Sequence, residues 1–163
     1  MPEFSLHDLH AQKPLPAIPA PAAASEDEGW QTLTVLALPG NLERVQEFVG
    51  DAAGDGCSMK LRMQLDLAVE EIFINICSYA YAPDVGDAEI RVRSLEEPAA
   101  VVVVFSDGGV PYNPLEKEDP DVTVLASERQ VGGLGIFLTK QVMDELRYEY
   151  RDGKNLLTLV KRL

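Results

Sequence analysis

The chain has 163 residues, 46% hydrophobic and 25% charged, with 27 acidic against 14 basic side chains and a formal net charge of −13. That length suits one domain with a sizeable core, and the acidic balance repels phosphate backbones, which argues against nucleic acid as the main partner. No stretch approaches the ~18 apolar residues of a membrane span, and no basic segment followed by an apolar one opens the chain, so a cytoplasmic protein is expected.

Residues 1–28 read as a disordered tail. Pro14, Pro16, Pro19 and Pro21 interleave with alanines, and Ser25-Glu26-Asp27-Glu28 closes the segment with charge. Such a composition buries too little apolar surface to offset ordering. Both histidines, His7 and His10, fall in this tail. The expected domain, 29–163, therefore has no imidazole to serve as base, ligand or phosphoacceptor, and Ser-His-Asp hydrolysis is excluded. Cys57 and Cys77 form no C-x-x-C pattern, as expected of thiols in a reducing compartment.

From Trp30 the pattern becomes periodic. Leu33 and Val35 alternate with Thr32 and Thr34, which predicts a strand ended by Pro39-Gly40. Asn41 is the expected N-cap of a helix that carries Leu42, Val45, Phe48 and Val49 on one side. Gly54 and Gly56 break it, and Ser58 is the expected cap of the longest element, a helix over 58–81. Leu61, Leu65, Ala68, Ile72 and Ile76 recur at helical spacing along it. Ile90 and Val92 alternate with charges in a half-exposed strand, and the unbroken run Val101–Phe105 predicts a central strand buried on both faces. After a loop over 111–131, a helix opens at Gly132 and ends near Glu145. Leu146, Tyr148 and Tyr150 alternate with charges, Asp152-Gly153 signals a hairpin, and Leu157–Val160 returns. The order β-α-α-β-β-α-β-β predicts an α+β two-layer sandwich, a mixed and mostly antiparallel sheet with helices on one face.

Three stretches carry chemistry. On the long helix, Asn75 lies only ~40° around from Glu71 and one turn on, whereas Glu70 points ~140° away from Asn75, so geometry selects Glu71. An amide oxygen suits a hard cation and a carboxylate suits proton abstraction, although both residues also fit a plain polar flank. Asp107-Gly108-Gly109 follows the apolar strand; it suits either acceptance of a hydrogen bond from an exocyclic amine or a simple turn. Gly132-Gly133-Leu134-Gly135 opens a helix, where bare N–H groups favour an anion, or where glycines act merely as a hinge. Neither a P-loop nor a Rossmann glycine pattern is present.

Glu71-x-x-x-Asn75 on a long helix, then Asp107-x-Gly109, then a glycine cluster before a helix, resembles the ATP-binding domain shared by gyrase, heat-shock chaperone ATPases, sensor histidine kinases and mismatch-repair ATPases, the Bergerat-type fold. Gly132-Gly133-Leu134-Gly135-Ile136 and Met143-Asp144-Glu145 are similar to the bacterial anti-sigma factor serine/threonine kinases, over about 30–163. The resemblance implies an ATP-binding regulatory kinase that uses Mg²⁺ and phosphorylates a serine or threonine of an anti-sigma antagonist. It implies Glu71 as general base, Asn75 as Mg²⁺ holder and Asp107 as adenine reader, with Gly109, Gly132, Gly133, Leu134 and Gly135 lining the base and phosphate pocket. A lid is expected over about 115–131, with Arg129 its one arginine. The expected partners are the antagonist and a sigma factor, and a homodimer is compatible. Two positions depart from the family pattern: Tyr79 stands where a histidine is frequent, and Pro111 where a glycine is usual. The second reading is a non-catalytic module in which ATP controls protein binding; a ligand-free scaffold is a third.

Overall fold

The computed structural model describes residues 28–121, 123 and 134–163. The expected tail lies outside the described residues except for Glu28, as do Arg129, Gly132 and Gly133. The elements run β1 (Gln31–Leu36), α1 (Leu42–Ala53), α2 (Met59–Asn75), β2 (Asp87–Glu96), β3 (Ala99–Asp107), α3 (Leu134–Val142), β4 (Glu145–Arg151) and β5 (Lys154–Arg162), the order the periodicities predict. They form one five-stranded sheet, β1-β2-β3-β5-β4.

Every neighbouring pair in that sheet is antiparallel, so the expected mixture of directions is absent among the described strands. The connections explain this. Two helices between β1 and β2 bring the chain back to the end it left, which makes β2 run opposite to β1. The single-helix crossover from β3 to β4 does give co-directional strands, but β5 sits between them.

The helices cover one face. Val101, Val103 and Phe105 of β3 pack there with Ile90, Val92, Leu157 and Leu159, under Val45 and Val49 of α1 and Leu65, Ala68 and Ile72 of α2. Val69 and Phe73 join them, broadening the buried stripe of α2 beyond the expected positions. The opposite face holds a smaller cluster, Ala100, Val102 and Val160, flanked by Trp30, Leu95 and Val104, so β3 is buried from Ala100 to Asp107 except at half-buried Val104.

Local chemistry sets the ends. Ser58 Oγ accepts from the Leu61 N–H at 3.3 Å, the expected N-cap of α2. Asn41 does not cap α1 through its side chain; its amide donates to the Leu36 carbonyl at 2.9 Å instead, and a 3-10 turn, Pro39–Asn41, leads into the helix. The long helix does not continue evenly to 81: after Asn75 it widens into a π-helical turn, Ile76–Ala80. Helix α3 stops at Val142 rather than near Glu145. Lys161 Nζ takes the Val142 carbonyl at 2.7 Å and pairs with Asp144 at 3.4 Å, the interaction a cation makes at a helix C-terminus. Asp152 and Gly153 turn β4 into β5 with φ of 53° and 75°, the left-handed pair of a type I′ hairpin.

Phe73 is fully buried. Phe73→Ala should therefore cost about 3–5 kcal/mol and lower the thermal midpoint by roughly 10 °C in a circular-dichroism melt. A loss below about 2 °C would place Phe73 outside the core that holds α2.

Candidate functional site

A cavity of about 530 Å³ opens between the C-terminal half of α2, the end of β3 and the start of α3. Glu71, Asn75, Asp107, Leu134 and Gly135, all singled out from sequence, line it. Ile72, Ile76, Phe105, Ile136 and Leu157 supply apolar wall, the usual make-up of a small-molecule pocket with a few polar anchors.

Helical phase puts Glu71 and Asn75 on the cavity side, while Glu70 is exposed, as the angular argument required. Burial pushes the Glu71 carboxyl above its ordinary value, and the charge of Glu70 beside it adds to the shift. A carboxylate that holds protons more tightly than usual is better matched to proton abstraction near neutral pH. Gly135 makes room for it: a Cβ at that position would overlap Glu71 Oε2. The first turn of α3 can press against the acid only because residue 135 lacks a side chain.

The π-helical turn, a feature that often marks functional sites, carries Tyr79 and Ala80 to the cavity rim. Gly109 does not line the cavity as expected. A Cβ there would overlap the Ala80 carbonyl, and the Val110 N–H donates to that same oxygen at 3.2 Å. The Tyr81 hydroxyl accepts from the Gly108 N–H at 2.7 Å and donates to the Asp87 carbonyl at 2.6 Å. The end of the helix and the Asp-Gly-Gly turn are thereby locked together.

Asp107 is 8% exposed, and both described hydrogen bonds to its carboxylate end on Oδ1. One comes from the Gly109 N–H at 2.9 Å and the other from Asn155 Nδ2 at 3.0 Å. Asn155 faces Asp107 directly across β3 and β5. Its Nδ2 also donates to the Val110 carbonyl at 2.9 Å, and its Oδ1 accepts from the Tyr112 N–H at 3.0 Å and the Tyr148 hydroxyl at 2.6 Å. Burial pushes the Tyr148 phenol up, which keeps it a neutral donor.

Asn155, Tyr148 and Lys117 line the cavity and were not singled out from sequence. Strand parity held a signal for the first: Asn155 shares a face with Leu157 and Leu159, so a polar residue occupies a core position. Tyr79 is 67% exposed, and Pro111 belongs to the wall. Cys57 and Cys77 are free, half-buried thiols, both pushed up by burial. Among the described residues no helix is long and apolar enough to cross a membrane.

Residues 35–161 match the family model of the histidine kinase-like ATPase domain. The serine/threonine-protein kinase BtrW of Bordetella bronchiseptica is 33% identical over 108 residues, which cover 66% of this chain and 75% of that protein. The serine-protein kinase RsbW of Listeria monocytogenes is 28% identical over 130 residues, 75% of this chain and 82% of its own length. Among solved structures, the histidine kinase domain of a blue-light-activated histidine kinase from Erythrobacter litoralis EL346 is similar over 77% of this chain and 60% of that one, at 16% identity and a TM-score of 0.47. With a family match across most of its length and relatives aligned over most of theirs, this chain belongs to the histidine kinase-like ATPase domain family.

Proposed function

We propose that this chain is an anti-sigma-type regulatory kinase that binds Mg·ATP and phosphorylates a serine or threonine of an antagonist protein. A sigma factor is then its regulated partner, residues 29–163 are the ATP-binding domain, residues 1–28 are a tail, and the site of action is the cytoplasm. A homodimer is compatible with this role. The observation that carries the proposal is the convergence of Glu71, Asn75, Asp107 and Gly135 on one cavity, in a chain similar to one protein named a serine/threonine kinase and another named a serine kinase.

Each residue has a role its surroundings support. Asp107 Oδ2, left over once Oδ1 is occupied, accepts from the exocyclic amine of adenine. The Asn75 amide is a hard oxygen donor beside a carboxylate, and among the described residues no group of three or more His, Cys, Asp or Glu forms a protein-only metal cage. That donor set fits Mg²⁺ held by one protein oxygen and the triphosphate, where the bound ion supplies charge neutralisation. The partner's hydroxyl oxygen bonds to the terminal phosphorus as the bond from that phosphorus to the bridging oxygen breaks. The hydroxyl proton passes to Glu71, and ADP leaves with the electron pair. A non-catalytic module would use Asp107 and Asn75 without needing Glu71, and the raised proton affinity of Glu71 favours transfer.

Saturating Mg·ATP, at about a hundredfold over its dissociation constant, should stabilise the chain by ~2.7 kcal/mol and raise its melting midpoint by several degrees. Asp107→Asn keeps an oxygen for Gly109 and Asn155 but turns a donor toward the ligand, so the shift should vanish. An equal shift in both proteins would remove Asp107 from base recognition.

Glu71→Gln should retain ATP binding and lose transfer to the partner by about 10²–10⁴-fold. Because burial raises the Glu71 pKa, its ionised form costs stability above the folded-state value, and the cost is relieved as pH falls through it. Glu71→Gln should therefore raise the midpoint at pH 7.5, with the gain fading toward pH 4. Wild-type transfer should decline, as pH is lowered, earlier than an ordinary glutamate would dictate. A variant neither stabilised nor impaired would take the base role from Glu71.

In Gly135→Ala the collision is with the free end of the Glu71 side chain, so the carboxylate moves rather than the fold. The midpoint should hold or rise, since alanine gains up to about 1 kcal/mol over glycine in a helix. Transfer should fall by about 100-fold through misplacement of the base. Transfer at the wild-type rate would show that the acid tolerates displacement.

A further inference from the structure

The Asn155 side chain is saturated. An amide oxygen has two acceptor sites and an amide nitrogen two donors, and all four are occupied by Tyr112, Tyr148, Asp107 and Val110. Its orientation is not a free choice. The Tyr112 backbone N–H can only donate and the Val110 carbonyl can only accept, so a flipped amide would set donor against donor and acceptor against acceptor. With the nitrogen thus directed at Asp107, and the Gly109 N–H on the same oxygen, Asp107 Oδ1 is held by two donors. Asn155 is also 7% exposed and keeps no group free for a ligand. Whatever it does for a ligand, it does through Asp107.

We propose that Asn155 is the positioning residue that sets base specificity, by holding the Asp107 carboxylate as a fixed acceptor so that the cavity takes adenine and refuses 6-oxo purines. This rests on the nucleotide reading of the cavity. Adenine offers an N6–H donor, whereas guanine places an O6 acceptor at the same edge. Against a fixed acceptor the first pairs and the second brings lone pair onto lone pair. A mobile carboxylate could rotate away and so accommodate both. A site built to hydrogen-bond one group rejects its analogue far more strongly than an apolar pocket can. The clamp also reaches past Asp107, because Val110 and Tyr112 belong to the segment that follows the Asp-Gly-Gly turn. That segment and the carboxylate are held by one amide.

The test is calorimetric titration of the full chain with Mg·ATP and, separately, Mg·GTP. Wild type should prefer ATP by about 100-fold or more. Asn155→Asp is nearly isosteric but turns an oxygen toward both Asp107 and Val110; its ATP affinity should fall by at least about tenfold while GTP affinity changes by less than about threefold. Asn155→Leu, which removes the clamp without adding charge, should narrow the ratio in the same way and serves if the first variant does not fold. A purely structural residue would weaken both nucleotides in parallel, and a parallel fall overturns the proposal. An unchanged ratio overturns it too, as does a wild type that binds both nucleotides equally. A wild type that binds neither removes the nucleotide reading, a result distinct from retained binding with an unaltered ratio.

Discussion

The site depends on the contact of two backbones, Gly109 against the carbonyl of Ala80, with no room for a side chain between them. The helix layer and the sheet layer meet there. On one side the π-helical turn ends the long helix that carries Glu71 and Asn75; on the other the Asp-Gly-Gly turn ends the central strand that carries Asp107. Backbone contact fixes their relative height more rigidly than side chains could, since neither partner has a rotamer to change. Tyr81 doubles the tie through the Gly108 N–H and the Asp87 carbonyl, and Gly86 leaves space for the Tyr81 ring.

From that junction the two ends of the cavity diverge. The Asp107 end is over-determined: a buried carboxylate and a buried amide have their described hydrogen bonds within the fold, as polar groups in a low-dielectric interior must if they are not to destabilise it. The Glu71 end is the reverse. No hydrogen bond from the described residues ties its carboxylate, and burial with a like charge nearby raises its affinity for a proton. A recognition group benefits from being held immobile by protein. A base must keep an oxygen available and be able to change charge. One cavity supplies both environments because strands build one wall and a helix face the other.

Much of this was legible along the chain. The apolar run Val101–Phe105 announced the central strand, the spacing of Leu65, Ala68 and Ile72 gave the buried face of α2, and helical phase alone separated Glu71 from Glu70. Ser58 and Asp152-Gly153 acted as local signals should. What escaped depends on contacts distant in sequence. The stop of α3 at Val142 is set by Lys161 from another strand. The widening after Asn75 leaves no mark on apolar spacing, because Ile72 and Ile76 remain buried either way. Asn41 prefers the Leu36 carbonyl to the helix N-terminus, a choice between two local acceptors and donors that composition does not decide.

Asn155 is the instructive case. It lies two residues beyond the Asp152-Gly153 turn, where polar residues are ordinary, and its main partner is 48 residues away. Only parity distinguishes it: counting back by two from Leu159 and Leu157 reaches a core position occupied by an amide. A buried polar side chain is tolerated when every donor and acceptor is matched, so a polar residue at inward parity implies a complete network around it. Such a network is costly to assemble and gains nothing for packing that leucine would not give. Its presence beside the one carboxylate at the end of the central strand therefore points to that carboxylate as the group whose orientation matters, and to the strand end as the wall that discriminates.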